Sequence, residues 1–468
     1  MIHKPIPIPV SRRDGLKALG GGLGMVAFAN MLGGVLNADP LRSSANPWAP
    51  KTPHFPARAK NVIYIFLRGG LSHVDSFDRK PVLDKYDGKP LPFEAPRTEF
   101  TTGNLMKSPF KFQKYGQNGV EVSEIFPHIG NSIDEFCMIR SMITDIPNHG
   151  PAITQMYTGF PRGGRPSLGS WVMYGLGTEN QNLPGFVSLA AGGGSGEGVS
   201  SGFLPATYQG ASVPMNEEDP QKQIQYLSNS KLSLEEQKRQ LTLWKSMTQS
   251  YVNQMQSSPE LEATIQSMEI AFRMQTEAPR VLDTRQESAA TLKAYGEGDF
   301  AHGCIMARRL VEAGVRIVQV YHANWDHHTD IMGHKDLARE VDQPIAALVE
   351  DLKQRGLHKE TLLVVTTEFG RTPVLNVGGF QAVANGRDHN PYGFTVLLSG
   401  GGMKPGTIYG ATDDFGFKAV ENICHVNDLH ATLLYTLGID HERLTYRYGG
   451  RDFRLTDVKG KVVKDILS

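Results

Sequence analysis

Histidine and carboxylate side chains collect at four places in this sequence, and together they are what a divalent metal ion needs. The clusters are Ser72-His73-Val74-Asp75-Ser76-Phe77-Asp78, the run from His322 to Asp330 that contains Asp326, His327 and His328, Glu368-Phe369-Gly370-Arg371, and Gly386-Arg387-Asp388-His389-Asn390-Pro391. Imidazole suits zinc and iron, carboxylate suits magnesium, calcium and manganese, and a mixed set suits zinc or manganese. Singly, each cluster says little, because a lone His or Asp in a loop usually turns the chain or faces water. Several clusters recurring at comparable places are harder to explain that way. His302, His358, His425 and His441 fall in expected helices or outer loops and are assigned no role. His430 is placed at a helix start near the C-terminus.

Strands must position these groups. The run from Asn61 to Leu67 is continuously apolar and β-branched, as a strand buried on both faces is, and Arg68-Gly69-Gly70 turns the chain after it. Ala307 to Ala313 has a helical pattern, Gly314 caps it, and Val315 to Tyr321 reads as a strand. Val341 to Arg355 is again helical, Thr361 to Thr367 is a strand, and Tyr392 to Ser399 is another. Alternating strands and helices predict an α/β fold with a mainly parallel sheet. In open parallel sheets, ligands bind beyond the carboxyl ends of the strands. Three of the polar clusters follow strands directly. The fourth precedes the Tyr392 strand and must reach round to the same rim.

About 220–292 is rich in Gln, Glu, Lys, Leu and Met, and reads as helices inserted between strands. Met247, Met255, Met268 and Met274 suit packing there. The Gly-rich stretch from Ala190 to Gly202 lacks the Gly-Lys-Ser/Thr of a P-loop and reads as a flexible loop.

At the N-terminus, Ser11-Arg12-Arg13-Asp14-Gly15-Leu16-Lys17 and the apolar stretch from Ala18 to about Leu36 read as a twin-arginine export signal. Residues 1–38 are assigned to that signal, 39–60 to a Pro-rich linker, and 61–468 to the α/β domain. The expected location is outside the cytoplasm, periplasmic or secreted, with membrane contact only through an uncleaved signal. Basic and acidic residues balance at 48 each, so the basic footprint of a nucleic-acid binder is missing. Three cysteines without a C-x-x-C pair exclude a disulfide scaffold and argue against a cysteine zinc site.

Arg68-Gly-Gly-Leu-Ser-His73-Val-Asp75-Ser-Phe77-Asp78, Trp325-Asp326-His327-His328, Glu368-Phe-Gly-Arg371-Thr-Pro373 and Gly386-Arg-Asp388-His389-Asn-Pro391 resemble the family named domain of unknown function 1501. That family in turn resembles the alkaline phosphatase and sulfatase superfamily. The resemblance implies a three-layer α/β/α sandwich with a metal-dependent hydrolytic site. In sulfatases a Cys-x-Pro-x-Arg segment opens a helix that ends in Thr-Gly. Here His149-Gly150-Pro151-Ala152-Ile153 precedes Thr158-Gly159 at the same offset, so His149 occupies the nucleophile position and Ile153 replaces the arginine. Histidine cannot become formylglycine, which argues against formylglycine-type sulfatase chemistry. Phe369 stands where the second residue of a sulfatase metal pair would be.

Two functional readings follow. In the first, the chain is an exported hydrolase of phosphate or sulfate esters, acting on a small molecule or a polysaccharide. Two cations roughly 3.5–4 Å apart would clamp the attacking and leaving oxygens. Asp326, His328 and His389 are expected to hold one ion, with Glu368, Asp75 and His73 for a second. His149 would attack or position water, and Arg371 or Arg387 would grip substrate oxygens. The ion is expected to be Zn, Mn, Ca or Mg. In the second reading the chain is a secreted non-catalytic binding protein that kept the fold.

Overall fold

The Asn61–Leu67 strand is apolar on both sides because both sides are covered. Val62, Tyr64 and Phe66 enter one buried cluster, and Ile63, Ile65 and Leu67 enter another. The computed structural model describes residues 47–191, 198–217, 219–220, 223, 232–255, 272–378 and 385–468. The export signal, the start of the linker, part of the Gly-rich loop and much of the helical insertion lie outside the described residues.

In chain order the strands from β1 to β13 are β1 (Asn61–Leu67), β2 (Thr102–Leu105), β3 (Phe112–Tyr115), β4 (Val120–Ser123), β5 (Phe136–Ile143), β6 (Phe186–Ala190), β7 (Ala211–Pro214), β8 (Ile317–His322), β9 (Thr361–Thr366), β10 (Gly370–Asn376), β11 (Arg387–Asn390), β12 (Phe394–Gly400) and β13 (Ile408–Tyr409). The central sheet runs β13-β5-β12-β9-β1-β8-β6-β7, with Cys424–His425 also paired to β5. β12 is antiparallel to both of its neighbours, and the other pairings are parallel. The sheet is therefore mainly parallel, as the alternation of elements implied.

Helices cover both faces. Asp299–Glu312 and Gly333–Gln354 pack on one, burying Cys304, Ala307, Val311, Val341, Ile345 and Leu348 at helical spacing. His149–Thr158, Leu168–Leu176 and Val426–Thr436 pack on the other through residues such as Met156, Trp171 and Leu433. The architecture is a three-layer α/β/α sandwich. Two helices begin earlier than the periodicity suggested, at Asp299 and Gly333. The second start draws His334 into a first turn, where it is fully buried. His430 likewise sits within its helix rather than at the start. The described part of the insertion contains the Leu234–Met255 helix. Among the described residues, no helix is long and apolar enough to cross a membrane.

A second, small sheet decides where the fourth polar cluster goes. β10 pairs antiparallel with β11 on one side and β2 on the other. Segments expected as loops, Gly370-Arg371 and Arg387 to Asn390, are therefore strands. β3 and β4 form a separate hairpin.

Candidate metal centre

β9, β1 and β8 lie side by side in register, with Phe66 opposite both Thr366 and Tyr321, so their carboxyl ends deliver three loops to one rim. The loops interlock at Gly69. Its N–H faces both oxygens of Glu368 at 2.9 and 3.1 Å. Its φ is +122°, and a Cβ there would lie 2.5 Å from the Asp326 nitrogen. Only glycine suits both the backbone angle and the crossing. The Trp325 N–H donates to the Arg68 carbonyl at 3.0 Å, which fixes Asp326 next to the end of β1. β11 supplies the fourth cluster, because its register sets His389 directly opposite Arg371. The His149–Thr158 helix begins at His149, with Asn148 as N-cap and Pro151 in its first turn.

These elements bring His149, Asp326, His328 and His389 together, with one ligand atom from each lying within 4.8 Å of the others. His328 Nε2 is 3.0 Å from Asp326 Oδ1 and 2.9 Å from His389 Nε2. His389 Nε2 is 3.2 Å from the same oxygen, and His149 Nε2 is 3.1 Å from Asp326 Oδ2. His149 Nε2 is buried and, despite that approach, makes no aligned hydrogen bond.

Each ring is held from behind. His149 Nδ1 meets Glu368 Oε1 at 2.6 Å. His389 Nδ1 meets Glu99 Oε2 and the Pro147 carbonyl, each at 2.6 Å. The Asn376 amide is 3.3 Å from His328 Nδ1. Carboxylates and carbonyls behind imidazoles set which nitrogen faces a metal. The exposed Asp326 is steadied by Arg371, whose Nη2 donates to Oδ1 at 2.6 Å. Phe369 packs its ring on His149 and His389 at centroid distances of 4.8 and 4.5 Å.

The electrostatics favour a positive charge at the centre. Burial works against charge on Asp326, yet the close approach of the His149, His328 and His389 rings, with Arg371 nearby, holds its carboxyl far below the usual range. Burial alone would lower His149, but Asp326 and Glu368 outweigh it and push the ring up to about 9. His389 goes the other way, pushed by burial down to about 3. A divalent cation could take the place of the proton that this pocket draws onto His149. Three imidazole nitrogens and a carboxylate suit zinc or manganese, and the buried Nε2 without a hydrogen bond fits a donor to such an ion.

Three of the residues expected at the site lie elsewhere. Asp75 and Arg387 form a fully buried ion pair, and Arg387 also donates to the Thr372 and Met106 carbonyls. His73 is buried, with Nε2 2.8 Å from the Gly416 carbonyl. Of the donors expected for a second ion, Asp75 is committed to Arg387 and Glu368 to the Gly69 N–H and His149, while His73 gives Nε2 to Gly416 and keeps Nδ1 buried without a hydrogen bond among the described residues. Nor is either expected arginine free to grip a substrate. Arg371 and Arg387 both have zero exposure, and Arg371 spends its donors on the Gly69, Gly70 and Arg387 carbonyls and on Asp326. The neighbouring histidines are structural too: His322 joins Trp325 and Glu340, and His327 joins the buried His334. Sequence reasoning missed Glu99, Asn376 and the Pro147 carbonyl. Glu99 sits in an irregular stretch with no motif, so nothing local marked it.

The chain matches the model of a family described as a protein of unknown function, DUF1501, over residues 59–467. No curated protein sequence matches it. It is similar to the lipoteichoic acid synthase LtaP from Listeria monocytogenes at 11% identity and a TM-score of 0.38, covering 92% of this chain and 80% of that one. It is similar to a phosphonate monoester hydrolase from Silicibacter pomeroyi at 12% identity and a TM-score of 0.37, over 87% and 76%. A protein in the alkaline phosphatase superfamily from Vibrio parahaemolyticus gives 10% identity and a TM-score of 0.33, over 89% and 75%.

Proposed function

The chain belongs to the DUF1501 family, and on that premise we propose that it is a metal-dependent hydrolase of phosphate or sulfate esters built around one ion. Asp326, His328 and His389 hold the ion, and His149 works beside it. The observation that carries this reading is the state of the His149 ring: Nδ1 is tied to the buried Glu368, while Nε2 faces the centre without a hydrogen bond. Glu368 therefore fixes the tautomer, and Nε2 is the nitrogen that exchanges a proton at the substrate, in the manner of a carboxylate-oriented catalytic histidine. Three protein donors leave a tetrahedral ion an open position, as hydrolytic zinc sites have. When bound, such an ion supplies Lewis-acid polarisation of an ester oxygen and a more acidic water.

The same cluster favours a second reading. With His149 as a fourth donor, a tetrahedral shell is closed, and the chain would be a non-catalytic metal-holding binding protein. His149→Gln separates the two. Elemental analysis of the variant, with hydrolysis assays on phosphate and sulfate ester panels, should find the metal retained and turnover lost. Loss of the metal would favour the closed shell. A metal-replete wild type that hydrolyses no ester would remove the hydrolase reading. The substrate is a small-molecule or polysaccharide ester, and the twin-arginine segment argues for a reaction outside the cytoplasm. Cell fractionation tests the latter.

A further inference from the structure

Arg68 is the next residue after β1, and the alternation that sends Val62, Tyr64 and Phe66 toward the His149–Thr158 helix sends Arg68 to the same side, at the rim. The floor beneath it is aromatic: the Phe66 ring lies 5.0 Å from Tyr157 and 6.2 Å from Tyr321. Arg68 Nη1 donates to the Tyr321 hydroxyl at 3.0 Å. That hydroxyl, and behind it Glu368 and Tyr157, holds the guanidinium above the usual arginine range. The backbone ties it to the centre, since its carbonyl accepts from Trp325, next to Asp326, and the following N–H reaches Glu368.

Arg68 differs from the two arginines expected to bind substrate. Arg371 and Arg387 are fully buried, whereas Arg68 is exposed. Among the described residues it has no carboxylate within ion-pair distance, and its side-chain hydrogen bond goes to a neutral phenol. Most of its five-donor fork is left for a ligand. A planar fork matches two oxygens of a tetrahedral oxyanion.

We propose that Arg68, steadied by Tyr321, is the anion-binding arm of the site and takes the non-bridging oxygens of a phosphate or sulfate group whose ester bond faces His149 and Asp326. This rests on the hydrolase reading above, and it names the substrate class by its charge: an ester that keeps at least one free anionic oxygen. Neutral triesters and carboxylic esters would not use this arm.

The test is calorimetric titration of the metal-loaded full chain with inorganic phosphate and, separately, with sulfate. Arg68→Gln should weaken binding of the preferred anion by roughly 10- to 100-fold, and Arg68→Lys by less, as expected for loss of charge-assisted hydrogen bonds. The metal content and the unfolding midpoint should not move, because the side chain is exposed. The arm that responds identifies phosphate or sulfate. Unchanged affinity in Arg68→Gln, or a wild type that binds neither anion, would overturn the inference. The parent reading fails differently: a wild type that takes up no metal yet loses anion binding with Arg68→Gln would keep the arm and discard the metallohydrolase.

Discussion

Arg387 and Asp75, 312 residues apart in sequence, meet as a fully buried two-pronged ion pair, Nε to Oδ2 at 2.7 Å and Nη2 to Oδ1 at 3.1 Å. The pair bolts the loop after β1 to the small sheet that carries His389. Removing one partner leaves the other charge buried and uncompensated. Asp75→Asn or Arg387→Met should therefore each cost about 3–5 kcal/mol, measured by urea unfolding. A loss under about 1 kcal/mol, the range of exposed pairs, would mean that the pair does not anchor the sheet.

Asp326 and His328 come from a loop beyond β8, whereas the fold rests on the buried strands and helices. Replacing both with Ala should abolish tight metal binding and leave the structure largely intact. Elemental analysis after metal-replete expression checks the first point and circular dichroism the second. Undiminished metal content in the double variant would refute the ligand assignment.

Glu368 is predicted to act through His149. Glu368→Gln removes the charge that faces Nδ1 while keeping the shape. Turnover of a responsive ester should fall by about 10²- to 10⁴-fold, the usual range for losing proper proton transfer. Metal content should stay near the wild-type value. If metal and turnover disappear together, Glu368 supports the ion itself.

Gly69→Ala should damage the site without touching any ligand. The new methyl would sit 2.5 Å from the Asp326 nitrogen, at a backbone angle that side chains rarely adopt. Displacing Asp326 should weaken metal affinity by roughly 10- to 100-fold, as loss of ligand support does. A variant that binds metal as tightly as the wild type would show that the crossing tolerates a shift.

His430 supplies a pH dependence away from the centre. Burial pushes its ring down to about 4, while Nε2 donates to the Met156 carbonyl. In the unfolded chain the ring titrates near the usual histidine value of about 6.5. Between those values the unfolded state binds the extra proton, so stability falls as pH drops from about 6.5 toward 4, by roughly 3 kcal/mol in all. His430→Gln should flatten that acid-side loss by about one proton in an unfolding-versus-pH series. An identical slope in the variant would show that another group carries it.

Four strands of the central sheet, β1, β8, β9 and β12, were legible because burial on both faces forces continuous apolar runs, whereas β5, β6, β7 and β13 were not anticipated. Parallel topology then placed Asp326 and Glu368 at strand ends, so the neighbourhood of the site followed from periodicity and turn residues. The family resemblance added His149, which lies in no polar run that spacing alone would single out. Partnership among the polar groups could not be read the same way. Asp75, His73, Arg371 and Arg387 look in sequence like Asp326 and His389, but whether such a group faces a centre or a buried partner depends on contacts that span up to 343 residues. The β10–β11 register, which sets His389 against Arg371, exists only once the chain has paired. The sequence by itself determined four strands of the sheet, the helices of one face and the rim where chemistry collects, because apolar patterning is local. Only the tertiary structure decided which side chains converge, which are spent on holding the fold, and that Arg68 stays open to solvent, because hydrogen bonds and ion pairs are directional and are made between distant segments.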